Sequence, residues 1–161
     1  MNDIVDLALE GRDLVFIGRI ALAGFLSFLI GWEREARGSH AGDRTHALVA
    51  IATAAFTSIG VERFTEDAGR IIQGTVTGVG FLGAGMIMKE GGQVIGLTTA
   101  AGLWAVAAVG IMIGAGEYTM GIGLTALVLL VLIKEKVPVL SRFGRVSKRR
   151  RKGDSPGHQE R

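Results

Sequence analysis

Five long apolar stretches, separated by short charged connectors, constrain this chain more than any other feature of its sequence. They cover residues 14–32, 47–61, 71–88, 97–114 and 118–133. Arg19 is the only charged residue inside them. A helix of about 20 mostly apolar residues crosses the ~30 Å hydrocarbon core of a bilayer. The sequence therefore predicts an all-α, polytopic membrane protein of about five transmembrane helices. A re-entrant segment is the alternative for the short second stretch.

The amino-acid composition supports a membrane protein over a soluble or disordered one. The chain has 25 glycines among 161 residues but only 2 prolines, and 48% of its residues are hydrophobic. Glycine is enriched in transmembrane helices, where it lets helix backbones approach closely. The sequence has no cysteine, which excludes disulfides, thiolate metal sites and cysteine nucleophiles.

The charges of the connectors predict which ends of the stretches face the cytoplasm, because positive residues mark that side. One side carries Arg34, Arg37, Arg44, Lys89 and the basic residues after Ile133. The other side carries Arg12, Arg63 and Arg70. Five spans then place the N-terminus outside and the C-terminus in the cytoplasm. The acidic start does not resemble a cleavable signal peptide, so the first stretch is expected to remain as an anchor.

The sequence divides into a transmembrane helical domain, residues 1–136, and a basic cytoplasmic tail, residues 137–161. The tail is polar and is expected to be partly disordered. Its basic run at residues 148–152 favours contact with anionic membrane lipids, at about 1 kcal/mol per residue near the surface. A protein partner is the alternative. Nucleic acid is not expected, because the run lacks interleaved aromatic residues.

Residues 78–83 match the pattern G-x-G-x-x-G, but their setting argues against a dinucleotide site. Such a site needs a preceding strand, a following helix and an acidic residue about 20 positions on, where this chain has Thr98. The glycines suit helix packing instead, beginning with the G-x-x-x-G step of Gly74 and Gly78. The predicted packing positions are Gly74, Gly78, Gly80, Gly83, Gly85, Gly102, Gly110 and Gly114. A locally unwound helix that lines a site is the alternative.

Arg19 is predicted to be a functional intramembrane charge. It shares a helix face with the small residues Ala23, Ser27 and Gly31, at successive intervals of four. An unpaired arginine at the centre of a membrane helix costs at least about 2.5 kcal/mol, so such residues are usually paired. Arg19 lies close to the outer end of its stretch, and snorkelling of its side chain to the interface is the alternative.

Nearly all polar residues near the ends of the first four stretches are predicted to meet at the cytoplasmic face. The predicted functional cluster contains Glu33, Arg34, Asp43, Arg44, Thr45, His46, Glu90, Thr98 and Thr99. These groups favour an ion-pair network, because the arginines repel a divalent cation. An Mg²⁺ site of one or two carboxylates and water is the alternative. No cofactor, no other metal and no enzyme activity are expected, since the histidines are scattered and no G-x-S-x-G pattern occurs.

Four motifs resemble the MgtC/SapB family of membrane proteins. They are residues 31–35 (GWERE), 41–49 (AGDRTHALV), 78–85 (GVGFLGAG) and 96–104 (GLTTAAGLW). They occur in the order of the family's signature and together are specific, although each alone would be weak. The resemblance implies a bacterial inner-membrane protein of about five spans. The family's polar positions correspond to Glu33, Arg34, Arg44, Thr45, Glu90 and Thr98, the last of which is Asn in some members.

The same resemblance implies a role in growth at low magnesium and, in pathogens, in survival inside macrophages. Better-studied members look like regulators that bind other membrane proteins, including the F-type ATP synthase. Many members carry a soluble domain after the last span, whereas this sequence has only the basic tail, so it resembles a short form of the family.

Two functional hypotheses follow. The first is a non-catalytic regulatory membrane protein, associated with magnesium limitation and ion homeostasis, that contacts itself as a homodimer or contacts another membrane protein. Its glycine-rich helix faces suit such contacts. The alternative is a transporter or channel for Mg²⁺ or an anion, because buried charges and glycine-rich helices can mark a pathway.

Overall fold

The computed structural model describes residues 2–133, with side chains from residue 11 onward. It contains five helices and one two-stranded sheet. The elements in chain order are α1 (Asn2–Glu35), α2 (Asp43–Arg63), α3 (Ala68–Gly85), β1 (Met88–Glu90), β2 (Gln93–Ile95), α4 (Leu97–Gly114) and α5 (Tyr118–Ile133). The predicted cytoplasmic tail, residues 137–161, lies outside the described residues.

The prediction of an all-α membrane protein is confirmed. Three of the described helices are long and apolar enough to cross a membrane: Gly11–Glu35 within α1, α2 and α4. The short second stretch extends in both directions into a continuous helix of 21 residues. The apolar helix α5 is shorter, with 16 residues.

The predicted bounds of the third stretch are wrong. The hydropathy pattern predicts one apolar span over residues 71–88, but α3 ends at Gly85 and Met88 begins strand β1. The helix starts earlier, at Ala68, and so includes the charged Arg70 near its first turn. Helix α3 is not among the three helices that combine the length and hydropathy of a span.

A β-hairpin that the apolar pattern does not predict joins α3 to α4. Strands β1 and β2 pair antiparallel around Gly91 and Gly92, whose φ angles are 56° and 82°. Two successive positive φ angles are typical of a tight hairpin turn and favour glycine at both positions. Gly96, with φ 85°, then leads into α4, and a side chain there would collide with the carbonyl of Met86.

Helices α2 and α4 form the centre of the bundle and touch through glycine. A β-carbon added at Gly114 would lie 2.6 Å from the carbonyl oxygen of Ala54 and 3.0 Å from the β-carbon of Thr57. One added at Gly110 would lie 2.6 Å from the carbonyl oxygen of Ala50. Such distances are shorter than van der Waals contact, so only glycine permits this approach. Helices α1, α3 and α5 pack around this central pair.

The up-and-down order of the helices gives the bundle two ends. At the hairpin end, α1 finishes beside the start of α2: a β-carbon at Gly31 would lie 2.5 Å from the α-carbon of Asp43. Helix α3 finishes there beside the start of α4, with Gly83 next to Ala100. At the opposite end, called the Arg19 end below, α2 and α4 finish and α5 begins.

We expect Gly110→Ala to destabilise the protein by about 1–3 kcal/mol, the usual cost of overpacking a filled interior. The added methyl group meets the backbone of Ala50 and the hydroxyl of Thr53. The matched control is Gly123→Ala on α5, because Gly123 is exposed and a β-carbon added there would have no neighbour within 4 Å. Thermal unfolding in detergent should show a lower midpoint for Gly110→Ala only. Equal midpoints for the two variants would contradict the tight α2–α4 contact.

Candidate functional site

An inward-facing ion-pair network lies at the hairpin end of α1. The carboxylate of Glu33 contacts the guanidinium of Arg37 one turn later and lies 3.9 Å from that of Arg34. The side chains of Glu33 and Arg34 are each only 13% exposed. A largely buried carboxylate needs such partners, because desolvation of an unpaired charge is costly. Arg37 is thus the close partner of Glu33, whereas Arg34 lies at the limit of an ion pair and its Nε is buried without a hydrogen-bond partner among the described residues.

A tight turn after α1 connects this network to α4. Gly38 adopts a φ of 72°, and the next residue, Ser39, donates its backbone N–H to the carbonyl of Arg34 at 3.0 Å. The turn places the hydroxyl of Ser39 3.0 Å from that of Thr99, in the first turn of α4. The hydrogen bond joins the α1–α2 connector to α4 at Thr99, which is buried.

His46 is fully buried between the connector and α4. Its Nδ1 lies 2.8 Å from the carbonyl oxygen of Gly42. Because a carbonyl oxygen only accepts hydrogen bonds, the hydrogen of this contact lies on Nδ1. Nε2 has no hydrogen-bond partner among the described atoms and faces Gly102, where a β-carbon would lie 3.2 Å away. Glycine at position 102 thus leaves room for the imidazole.

The structure brings only part of the predicted cluster together. Glu33, Arg34, His46 and Thr99 point into the protein, whereas Arg44, Thr45, Glu90 and Thr98 are exposed. Asp43 is half-buried at the start of α2 and accepts the backbone N–H of Arg44. Glu90 lies on the hairpin, away from any described ion pair.

The sequence-based prediction does not include Arg37, Ser39, Gly42 or Glu62. The spacing of Glu33 and Arg37, four residues apart on one helix, is a signal that the sequence does contain. The other three depend on how the connector and the helices pack.

Among the described residues, no group of three or more His, Cys, Asp or Glu side chains could hold a metal ion. The carboxylate of Glu33 faces two guanidinium groups, which compete with any cation for its oxygens. The geometry of the hairpin end therefore favours a network of internal ion pairs over a divalent-cation site.

Arg19 is paired at the opposite end of the bundle. Its guanidinium lies 2.7 Å from a carboxylate oxygen of Glu62, and it donates to the hydroxyl of Tyr118 at 3.2 Å and to the carbonyl of Gly114 at 3.3 Å. Ser58 donates to the same carbonyl at 2.9 Å. The side chains of Arg19 and Glu62 are 17% and 24% exposed. These contacts tie α1, α2, α4 and α5 together, and they describe a partly buried, paired arginine.

A row of buried polar residues on α2 connects the two ends. It consists of His46, Thr53, Thr57 and Ser58, all at most 2% exposed. Thr53 donates to the carbonyl of Ala50 at 3.2 Å, while the hydroxyls of Thr57 and of Ser27 on α1 make no hydrogen bond within the described residues. Buried polar atoms of this kind usually bind ordered water.

The predicted packing glycines separate into two groups. Gly102, Gly110 and Gly114 lie against α2, and Gly83 lies against Ala100 of α4. In contrast, a β-carbon added at Gly74, Gly78, Gly80 or Gly85 would have no neighbour within 4 Å. Helix α3 is continuous through all of these positions, so the described chain is not unwound there. A groove of about 500 Å³ between α2 and α3 exposes Gly74 and Gly78.

We expect Arg19→Gln to lower stability by about 1–3 kcal/mol, since it leaves the carboxylate of Glu62 without its charged partner. Adding Glu62→Gln should recover part of this loss, because the uncompensated charge is then gone. The control is Arg70→Gln, whose side chain is 84% exposed and pairs with Asp67 on the surface. Thermal unfolding in detergent of both single variants, the double variant and the control gives the comparison. Strictly additive losses in the double variant would argue against the pairing.

Comparison with known proteins identifies a matching protein family and several related proteins. The model of the MgtC family matches residues 20–138. The protein named "Putative magnesium transporter YhiD" of Escherichia coli (strain K12) is 42% identical over 126 residues, which cover 73% of this chain and 59% of that protein. Protein MgtC of Salmonella typhimurium (strain LT2) is 41% identical over 131 residues, which cover 79% of this chain and 57% of that protein. Protein MgtC of Brucella abortus (strain 2308) is 42% identical over 124 residues, covering 75% and 52%.

The chain spans less than 60% of the length of these relatives. No solved structure matches it. The matched region includes all four motifs of the sequence resemblance, together with both Arg19-end partners Glu62 and Tyr118. The family model covers most of the chain, and the chain belongs to the MgtC family.

Proposed function

We propose that this protein is a non-catalytic regulator in the bacterial inner membrane that supports growth when magnesium is scarce. It acts through helix contacts with a second copy of itself or with another membrane protein. Its spans cross the membrane several times, with the hairpin end and the basic tail on the cytoplasmic side, where the tail contacts anionic lipids. The distribution of connector arginines supports this orientation.

The association with magnesium is supported by the relatives. The Escherichia coli relative carries the name of a putative magnesium transporter. Family membership supports a shared physiological setting, while the mechanism has to be argued from this chain itself, because the matched region is only part of each relative.

The regulatory mechanism is supported by a contrast between the charged residues at the hairpin end and the exposed glycines of α3. At the hairpin end, Glu33, Arg34 and Arg37 are engaged with one another and turned inward. On α3, in contrast, Gly74 and Gly78 are exposed in the groove beside α2, and a β-carbon added at either would have no neighbour within 4 Å. A helix face of this kind suits close association with a helix from outside the chain. The exposed glycines of α3 therefore support contact with a helix from outside the described chain.

The internal network should matter more for function than the exposed carboxylate of the hairpin. In a strain that needs this protein in magnesium-limited medium, we expect Glu33→Gln to reduce growth, because it removes the charge that Arg34 and Arg37 face. Glu90→Gln is the matched control, since Glu90 is exposed and has no described ion pair. Growth rates at low and high magnesium, with protein amounts measured by immunoblot, make the comparison. Equal growth of the two variants would remove the support that this network gives.

A transporter of Mg²⁺ or of an anion is the second candidate. The specific observation in its favour is the buried polar row on α2, which extends from His46 to Ser58 and ends beside the Arg19–Glu62 pair. Polar residues in the interior of a membrane protein often mark an ion or proton path. The name of the Escherichia coli relative agrees with such an activity.

Flux through proteoliposomes separates the two candidates. The regulatory proposal predicts no Mg²⁺ or anion flux above that of empty vesicles from the purified protein. Thr57→Val tests the row directly, because valine keeps the shape of the residue and removes its hydroxyl. Robust flux that Arg19→Ala or Thr57→Val abolishes would favour transport and overturn the regulatory proposal.

A further inference from the structure

A cavity at the Arg19 end of the bundle lies between α1 and the end of α2. We call it the Arg19-end cavity; it is lined by Asp13, Phe16, Ile59, Glu62, Arg63 and Phe64. Its volume is about 470 Å³, and ligand pockets usually have volumes of about 300–1,000 Å³. Both α1 and α2 contain a segment that is long and apolar enough to cross a membrane. The cavity therefore belongs to two candidate spans, and it shares no lining residue with the groove between α2 and α3.

The position of the cavity along these helices corresponds to the head-group level of a bilayer. Helix α2 ends at Arg63 and has 21 residues. Such a helix rises about 31 Å, close to the ~30 Å thickness of the hydrocarbon core. On α1, the rise from Asp13 to the exposed Trp32 is about 28 Å, and tryptophan is enriched at the membrane–water interface. The cavity thus lies at the depth where lipid phosphates and ammonium groups are found.

Both signs of charge line the cavity, and they do not neutralise one another. Asp13 and Arg63 are exposed, and neither makes an ion pair within the described residues. Glu62 binds Arg19 through its oxygen Oε1, and its second oxygen makes no hydrogen bond in the described part of the chain. A guanidinium and two carboxylates that share a cavity without pairing leave space for a ligand that carries both charges.

A zwitterion with a primary ammonium and a phosphate matches these side chains. An ammonium has three N–H donors, which suit the carboxylate of Asp13 and the second oxygen of Glu62. A guanidinium binds a phosphate through two parallel N–H···O bonds, which suits Arg63. The remaining lining residues, Phe16, Ile59 and Phe64, are apolar and suit the first carbons of the acyl chains. This combination is the chemistry of an aminophospholipid.

A divalent cation fits the same cavity less well. Mg²⁺ binds carboxylate oxygens and water, but Arg19 holds one oxygen of Glu62, and Arg63 adds a second positive charge. The described residues contain no group of three or more His, Cys, Asp or Glu side chains that could hold a metal ion. A purely anionic lipid is also disfavoured, because its head group would face the carboxylates of Asp13 and Glu62.

We propose that the Arg19-end cavity binds the head group of a membrane phospholipid with a primary ammonium, such as phosphatidylethanolamine. The ammonium lies between Asp13 and Glu62, and the phosphate binds Arg63. The inference goes beyond the proposed function, since the site is the same whether the protein is a regulator or a transporter. The bound lipid joins α1 to α2 at the end where Arg19 already pairs with Glu62.

Native mass spectrometry of the purified protein tests the choice of lipid. The probes are phosphatidylethanolamine, phosphatidylcholine and phosphatidylglycerol with identical acyl chains. We expect phosphatidylethanolamine to be retained most, because the quaternary ammonium of phosphatidylcholine has no N–H donor and phosphatidylglycerol has no ammonium. Equal retention of the three lipids, or a preference for either of the other two, would overturn the proposal.

Two substitutions test the cavity itself. Asp13→Asn should weaken binding of phosphatidylethanolamine about fivefold, as expected for the loss of a solvent-accessible ion pair, and should remove its preference over phosphatidylcholine. Arg63→Gln should weaken binding of both lipids, because both carry the phosphate. The matched controls are Asp67→Asn and Arg70→Gln, which remove the same charges from a surface pair outside the cavity. All four residues are exposed, so the fold is retained. Equal effects of the controls and the cavity variants would contradict the site.

Two further probes identify other sources of the signal. Soluble phosphoethanolamine that displaces the lipid at equal concentration would show a free head group as the ligand and overturn the assignment to a lipid. Calorimetric binding of Mg²⁺ that Asp13→Asn abolishes, without any lipid preference, would replace the proposal with a cation site. Neither assay measures growth at low magnesium, so failure of the lipid site and failure of the proposed function remain distinguishable.

Discussion

The close contact between α2 and α4 is the constraint on which the rest of the structure depends. Gly110 and Gly114 bring the backbone of α4 against Ala50 and Ala54 of α2, at separations that leave no space for a side chain. Because the two backbones approach so closely, Ser58 of α2 reaches the carbonyl of Gly114. That carbonyl also accepts from Arg19, so the glycine contact positions the ion pair at this end of the bundle.

The two ends of α2 meet the same physical demand in different ways. Polar groups inside a membrane protein must be satisfied by other protein groups or by enclosed water. At the Arg19 end, one guanidinium satisfies a carboxylate, a carbonyl and a phenol from three different helices. At the hairpin end, a short connector folds back over His46 and binds it through the carbonyl of Gly42. An ion pair between two helices closes the Arg19 end, whereas the hairpin end is closed by local turns and by ion pairs within α1.

How far the sequence predicts this arrangement depends on the range of each interaction. The apolar helices and the close-packing role of Gly110 and Gly114 follow from hydropathy and from the spacing of small residues. The pairing of Arg19 with Glu62 does not, because it depends on which helices become neighbours and on the level at which their ends meet. The hairpin is not predicted for another reason, because the segment from Met88 to Ile95 is too short to show a periodic pattern. Its two adjacent glycines are nevertheless typical of a turn. The other polar residues near the hairpin lie at the same end of the bundle as the Glu33 network, but their side chains are exposed.

Helix α3 is the element whose sequence the fold of one chain explains least. Its glycines on the inner side have a reason within the bundle, as Gly83 meets Ala100. Its outer glycines and Gln73 have none: they weaken the helix and expose a polar amide where a lone chain would favour leucine or valine. Residues that oppose the stability of a single chain are best explained by an interaction outside it. The outer face of α3 is therefore the part of the described structure whose sequence the packing of one chain leaves unexplained.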